Sequence, residues 1–195
     1  MFINWKLREI SLKIVYYGPA LSGKTTNLQC IHAKTSPNIR GDLVSLNTRG
    51  DRTIYFDFLQ IELGQIGGLK PRFNLYTVPG QIYYSGSRRL VLQGVDGVVF
   101  VADSQVHRLP ANIETRRDMK ENLTALGLDL FNIPVVLQCN KRDIPNVAPA
   151  LAIKQQLGFG SVPCFESVAL QGTGVFETLK AIINLVVAQT QQKLQ

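Results

Sequence analysis

Nine residues, Gly18-Pro-Ala-Leu-Ser-Gly-Lys-Thr-Thr26, constrain this chain more than any other stretch. They match G-x(4)-G-K-[ST] and stand between an apolar run, Ile10 to Tyr17, and a helix-like run, Thr26 to Lys34. Glycine at both ends of such a loop lets the backbone curl until successive amide N–H groups point inward and cradle a phosphate. Lys24 then reaches the terminal phosphates as a point charge, the Thr25 hydroxyl is placed for a magnesium ion, and the helix starting near Lys24 adds its positive N-terminal end. Because the strand, loop and helix that this motif demands are all present, a nucleotide phosphate site is expected in preference to a structural glycine turn.

A length of 195 residues with 45% hydrophobic content suits one compact α/β domain, residues 1–195, that buries a full core. Cys30, Cys139 and Cys164 are odd in number, widely spaced and embedded in apolar segments, so they read as reduced core thiols. His32 and His107 lack ligand spacing. No run approaches the roughly 18 apolar residues of a membrane span, and Met1-Phe-Ile-Asn-Trp is no leader. Phe2 excludes a myristoyl signal and Gln-Gln-Lys-Leu-Gln195 is not a prenylation box. The expectation is a cytoplasmic protein with no direct membrane anchor, reaching a membrane only through a partner.

The net charge of +7 includes Arg49, Arg52, Lys70, Arg72, Arg88 and Arg89, near the glycine loop and in the segments downstream of it. Their field favours a polyanionic ligand or an acidic partner. With no RNA-binding aromatic signature and no recognition helix, nucleic acid is not expected as a ligand.

Along the chain, residues 2 to 7 allow a short extra strand before the first core strand at Ser11 to Tyr17. Thr35 to Arg52 is polar and turn-rich and reads as a long loop, functional or mobile. Thr53 to Leu63 and Arg72 to Val78, joined by a segment with three glycines, read as a hairpin. Unbroken apolar runs at Gly97 to Asp103 and Pro134 to Asn140 predict buried parallel strands, with a short strand at Cys164 to Val168. Helices are expected at Ser87 to Leu92, Pro110 to Ala125, Val147 to Leu157 and Val175 to Gln192. The fold class is therefore α/β: a three-layer P-loop sandwich whose central sheet is mostly parallel with one antiparallel strand, helices on both faces. Ligands of such sheets sit at the carboxyl ends of the strands.

Each remaining punctuated segment falls at such an end: Thr77 to Gln81, Asn140-Lys-Arg-Asp143, and Val168 to Leu170. The Asp143 carboxylate accepts from two parallel donors, ring N1–H and exocyclic amine, which guanine presents and adenine does not. Asn140 can tie base to phosphate loop, and the Lys141 stem can cover the flat face of the base. An ATP-using kinase or ATPase is disfavoured for the same reason.

These residues resemble the Ras-like small GTPases, and within them the bacterial gliding-motility MglA family. The likeness is carried by Tyr16 to Leu28, Asp51-Arg-Thr-Ile-Tyr-Phe-Asp-Phe-Leu59, Leu75-Tyr-Thr-Val-Pro-Gly-Gln81, Gly94 to Asp103, Asn140 to Asp143 and Gly174-Val-Phe-Glu-Thr-Leu-Lys180, over nearly the whole chain. The resemblance implies a GTP/GDP switch with slow magnesium-dependent hydrolysis, serving cell polarity or gliding motility. Gly18, Pro19, Ala20, Leu21, Ser22, Gly23, Lys24, Thr25, Thr26, Thr53 and Gly80, with Asn140, Lys141, Asp143, Val168, Ala169 and Leu170, would bind the nucleotide. The backbone N–H of Ala169 would meet the guanine oxygen. Thr25 and Thr53 would ligate magnesium. Gln81 would orient the attacking water, and Arg52 would supply in the same chain the arginine that other GTPases borrow, beside Lys24. Implied partners are a Roadblock-fold activating protein of the MglB type, an exchange factor and polarity or motility effectors.

Two positions depart from the wider Ras-like pattern. Thr77 stands where an aspartate usually holds magnesium through water, leaving Asp57 as the nearest candidate carboxylate or, alternatively, as an edge or partner-facing charge. Ala20 replaces a loop glycine, and its methyl either slows hydrolysis or is tolerated. A hydrolysis-impaired nucleotide-bound scaffold is the alternative function. Apolar residues on both faces of Ile54 to Ile61 fit a strand covered on both sides or, as the resemblance implies, one that shifts register between nucleotide states. Tyr83, Tyr84, Arg88 and Arg89 are candidate partner-surface residues or ordinary loop positions.

Overall fold

The unbroken apolar runs lie in the middle of the sheet, where both faces are covered. In the computed structural model, which describes residues 1–47, 55–80, 85–130 and 132–194, every residue of β6 (Gly97–Asp103) and β7 (Val135–Asn140) is buried. β2 (Glu9–Tyr17) alternates from Glu9 to Ile14 and is buried on both faces from Ile14 to Tyr17. Its Ile10, Leu12, Ile14 and Tyr16 join a core with α1 (Lys24–Lys34) and α5 (Val175–Leu194), while Val15 and Tyr17 face α2 (Ser85–Leu92), α3 (Leu109–Ala125) and α4 (Ala150–Gln156). Side chains that alternate about one strand thus feed two cores.

The strands run in the order β3-β4-β5-β2-β6-β7-β8, with β3 at Val44–Asn47, β4 at Tyr55–Glu62, β5 at Lys70–Thr77 and β8 at Cys164–Glu166. From β5 to β8 all pairing is parallel; β4 is antiparallel to both β5 and β3. A short β1 (Phe2–Asn4) pairs antiparallel with the start of β2, through Phe2↔Ser11 and Asn4↔Glu9. β6 borders the remainder of β2 from Ile14 onward. The chain is therefore α/β with a mostly parallel sheet and helices on both faces, as the alternation of elements implies. Among the described residues no helix is long and apolar enough to cross a membrane.

One expectation needs correction. The stretch from Thr35 is not loop throughout: Pro37–Ile39 forms a 3-10 turn and Val44–Asn47 pairs with β4 from Val44↔Phe58 to Asn47↔Tyr55. Four residues flanked by turn formers carry little periodicity; the free edge of β4 recruits them.

α5 crosses β6 so closely that Gly97 has no room for a side chain. A β-carbon there would lie 2.5 Å from Val186 Cγ2 and 3.0 Å from Ile182 Cδ1. Gly97→Ala is expected to cost roughly 1–3 kcal/mol through overpacking, seen as a lower denaturation midpoint at unchanged slope in guanidinium unfolding.

Candidate functional site

The glycine loop leaves β2 and enters α1 through backbone that only special residues tolerate. Gly18 has φ +146° and Gly23 φ +99°. A β-carbon on Gly18 would meet Val101 O at 2.2 Å, and one on Gly23 would meet Asn140 Nδ2 at 2.2 Å. The loop is thus pressed against the ends of β6 and β7, and the two glycines permit that approach. Leu21 takes a left-handed φ of 65° and is 82% exposed at the crest.

Lys24 folds back over the loop, its ammonium donating to Gly18 O at 3.0 Å and Pro19 O at 2.8 Å. It is buried, which together with the nearby Arg88 charge lowers its pKa to about 7 against the opposing pull of Asp57. Beside it, Asp57 is 8% exposed and gathers three hydroxyls. Thr25 Oγ1 and Thr77 Oγ1 donate to Oδ2 at 2.6 and 2.9 Å, and Ser45 Oγ donates to Oδ1 at 2.7 Å. The Asp57 N–H in turn donates to Thr77 Oγ1 at 2.8 Å. Asp57 points inward with Leu59 and Ile61, so the edge-charge alternative is set aside. A carboxylate and hydroxyls converging at the N-terminus of α1 are hard oxygen donors, the set that suits magnesium.

Two cavities flank the loop. One of about 430 Å³ is lined by Ala20, Lys24, Thr25, Ser45, Asp57 and Thr77 to Gly80. The other, about 160 Å³, is lined by Leu21, Gly23, Thr26, Asn140, Lys141, Asp143, Ile144 and Val168 to Leu170. Every base-reading candidate lines the second one. Asn140 joins the two sides: its Nδ2 donates to Ser22 O at 2.8 Å, and its Oδ1 accepts from Ser167 Oγ at 3.0 Å and from the Ala169 N–H at 2.9 Å. That last N–H, which the resemblance directs at a guanine oxygen, is held by Asn140 in this structure. Lys141, with φ 66°, reaches Asp103 Oδ2 at 2.7 Å.

With this geometry in hand, the sequence model of the ADP-ribosylation factor family matches residues 1–186. The chain belongs to that family of small GTPases. It is also 52% identical over 191 residues, 98% of both chains, to the mutual gliding-motility protein MglA of Myxococcus xanthus strain DK1622, which makes it an MglA-type member. In fold it is similar to the Arl6 BBS3 small GTPase of Trypanosoma brucei, solved with the nucleotide analogue GppNp. That likeness has a TM-score of 0.67 at 23% identity and covers 92% of this chain and 99% of the other.

Within this GTPase architecture some expected residues lie elsewhere. Arg49, Arg52, Thr53, Gln81, Tyr83 and Tyr84 fall outside the described residues. Lys70 and Arg72, grouped by sequence with the phosphate field, stand at the start of β5, the end of the sheet away from the loop, where Arg72 pairs with Glu9 at 2.7 Å and Glu62 at 3.2 Å. Arg88 is no partner-surface residue: it is 2% exposed, donating from Nε to Pro79 O at 2.9 Å and from Nη2 to Gly80 O at 3.3 Å, and pairing with Asp118 at 2.6 Å. α2 thereby grips the backbone just before Gln81.

Sequence reasoning missed Asp103 and Arg108. Asp103 is fully buried and receives Lys141, while Arg108 lies 3.8 Å from Asp103 and donates to the loop carbonyl of Ala20 at 2.8 Å. Asp103 sits at the C-terminal end of β6, the position that could have flagged it; Arg108 carried no signal. Asn140→Ala leaves the Ser22 carbonyl, the Ser167 hydroxyl and the Ala169 N–H without that partner. It is expected to cost the nucleotide-free protein roughly 2–4 kcal/mol, measured by urea unfolding after nucleotide removal.

Proposed function

We propose that this protein is a GTP/GDP molecular switch that slowly hydrolyses GTP to GDP and phosphate with magnesium, as a single catalytic domain acting in the cytoplasm. The observation that carries this reading is the convergence of the Thr25, Ser45 and Thr77 hydroxyls on the Asp57 carboxylate, beside a lysine-capped phosphate loop whose other flank holds Asn140, Lys141 and Asp143. On binding, Lys24 exchanges its two loop carbonyls for phosphate oxygens, whose charge favours its protonated form and offsets the effect of burial. Asp143 selects the base through paired acceptors, and Lys141, anchored on Asp103, covers it. Thr25 and Thr53 would hold the cation, with Asp57 supplying the carboxylate in place of the aspartate that Thr77 replaces. When bound, magnesium neutralises charge on the phosphate oxygens during transfer. Arg88 holds the Pro79 and Gly80 carbonyls, and Gln81, Arg52 and Thr53 complete the set.

The likeness to a gliding-motility protein supports a role in polarity or motility. A Roadblock-fold activator of the MglB type, an exchange factor and motility effectors are the proposed partners. The apolar faces of β4 support a change of register with nucleotide state, since an odd slip exchanges Asp57 for a phenylalanine neighbour, Phe56 or Phe58, at the site. Identical β4–β5 pairing in crystals of the GDP and GTP forms would refute that shift.

The purified chain is expected to bind GDP and GTP in preference to ATP and to release phosphate slowly from GTP in a magnesium-dependent way. Failure to hold either guanine nucleotide sinks the proposal. Asp57→Asn is expected to raise the magnesium concentration needed for half-maximal nucleotide retention by at least about tenfold, the scale for loss of a group that supports a metal site.

Ala20 supports a second reading, a nucleotide-bound scaffold with impaired hydrolysis. Gly80 packs so tightly on Ala20 that a β-carbon at position 80 would lie 2.4 Å from Ala20 Cα, so the glycine loop and the backbone at Gly80 share one tight contact. Misplacement by about 1 Å in such a site costs about 100-fold. Ala20→Gly is accordingly expected to accelerate single-turnover hydrolysis; unchanged kinetics mean the methyl is tolerated. Retention of GTP without phosphate release, even with a Roadblock partner present, selects the scaffold.

A further inference from the structure

The end of the sheet opposite the nucleotide loop carries a feature that the GTPase reading leaves unused. The turn between β1 and β2 holds Trp5 at 70% and Leu7 at 58% exposure, and Phe2 beside it on β1 is 68% exposed. Large apolar side chains scattered singly over a surface are ordinary; three exposed ones within six residues of one hairpin are a concentration that calls for an explanation. The turn is built to hold this shape. The Leu7 N–H donates to Asn4 Oδ1 at 3.2 Å and the Arg8 N–H to Trp5 O at 3.4 Å. Arg8 takes a left-handed φ of 51°, and its carbonyl accepts the Lys70 N–H at 2.8 Å, tying the turn to the start of β5.

Charge distinguishes the occupant. Lys6, Arg8 and Lys70 are exposed around the apolar tip. Among the described residues, the acidic groups nearby are engaged: Glu9 and Glu62 by Arg72, and Asp96 by the Met1 ammonium at 2.7 Å. Protein interfaces are depleted in lysine, and their anchors fill pockets on a complementary surface. An exposed turn that carries an indole, two further large apolar side chains and nearby cations has the chemistry of the bilayer interface, where tryptophan settles at headgroup depth and basic residues attract anionic lipid.

We propose that the β1–β2 hairpin is a membrane-surface contact, in which Trp5, Leu7 and Phe2 enter the interfacial layer of an anionic bilayer while Lys6, Arg8 and Lys70 face its headgroups. Such docking is weak and reversible, since it rests on a few side chains without an acyl chain. It also revises the expectation that a membrane is reached only through a partner. Lipidation motifs do not report a folded hairpin tip. The nucleotide loop, at the other end of the parallel strands, then faces away from the bilayer.

Trp5 is the sole tryptophan in the chain, so it reports on its own insertion. The full-length protein loaded with GDP is mixed with vesicles of phosphatidylcholine alone or containing phosphatidylglycerol. The expected result is a blue shift of tryptophan emission and quenching by brominated acyl chains with the anionic vesicles only, and co-flotation that is lost in high salt. Lys6→Gln and Arg8→Gln each lower partitioning about fivefold, the loss of one surface cation, and Trp5→Ser abolishes flotation. All three lie on an exposed turn, and unchanged GDP binding verifies that they fold. Emission that stays at its solvent-exposed position with every vesicle, the outcome if the tip instead serves a protein, overturns the proposal. Flotation that survives Trp5→Ser overturns it too, by placing the contact elsewhere. Neither result bears on nucleotide binding, which is measured separately.

Discussion

One buried amide holds the two halves of the site together. Asn140 leaves the end of β7 and satisfies three groups from two different connections: the Ser22 carbonyl of the glycine loop, and the Ser167 hydroxyl and Ala169 N–H of the turn after β8. Buried polar atoms of this kind are costly when unpaired, so the arrangement is close to all or none. It also explains why Gly23 must lack a side chain, because the Asn140 amide occupies the space a β-carbon would need. The position of the loop relative to the base-side cavity is therefore set by an asparagine more than one hundred residues away in sequence.

A second tie runs parallel to the first. Asp103, fully buried at the end of β6, faces both Lys141 and Arg108 through its Oδ2, and Arg108 continues to the Ala20 carbonyl. A lone buried carboxylate is unfavourable, and here two cations and the Gln105 N–H at 3.1 Å offset that cost. Crest and base-side wall of the site are thus connected twice, once by a neutral network and once by a charged one.

Much of this was legible in the amino-acid order. The glycine loop, the buried runs of β6 and β7 and the segment from Asn140 to Asp143 each bear local signatures, since a turn with positive φ demands glycine and a strand covered on both faces demands uninterrupted apolar residues. Asp57 was readable only as a candidate, because its role depends on the pairing of β4 with β5, which brings Thr77 alongside. β3 was missed since a four-residue strand leaves no periodicity to read. Arg88 was misjudged for a related reason: a helix of eight residues, Ser85–Leu92, shows its direction only after packing on α3, and arginine by itself reads as surface. Lys70 and Arg72 were placed near the loop by adjacency along the chain, although β5 carries them to its far end.

Moving the carboxylate from β5 to β4 changes what it is mechanically attached to. Thr77 belongs to a strand flanked on both sides and anchored to β2 by eight paired positions, from Glu9↔Lys70 to Tyr16↔Thr77. Asp57 belongs instead to a strand whose outer neighbour is only four residues long. The acid nearest Thr25 therefore rides on the more weakly held part of the sheet, like a contact mounted on a sliding bolt. In the proposed switch, grip on the cation and seating of that edge would be one and the same event.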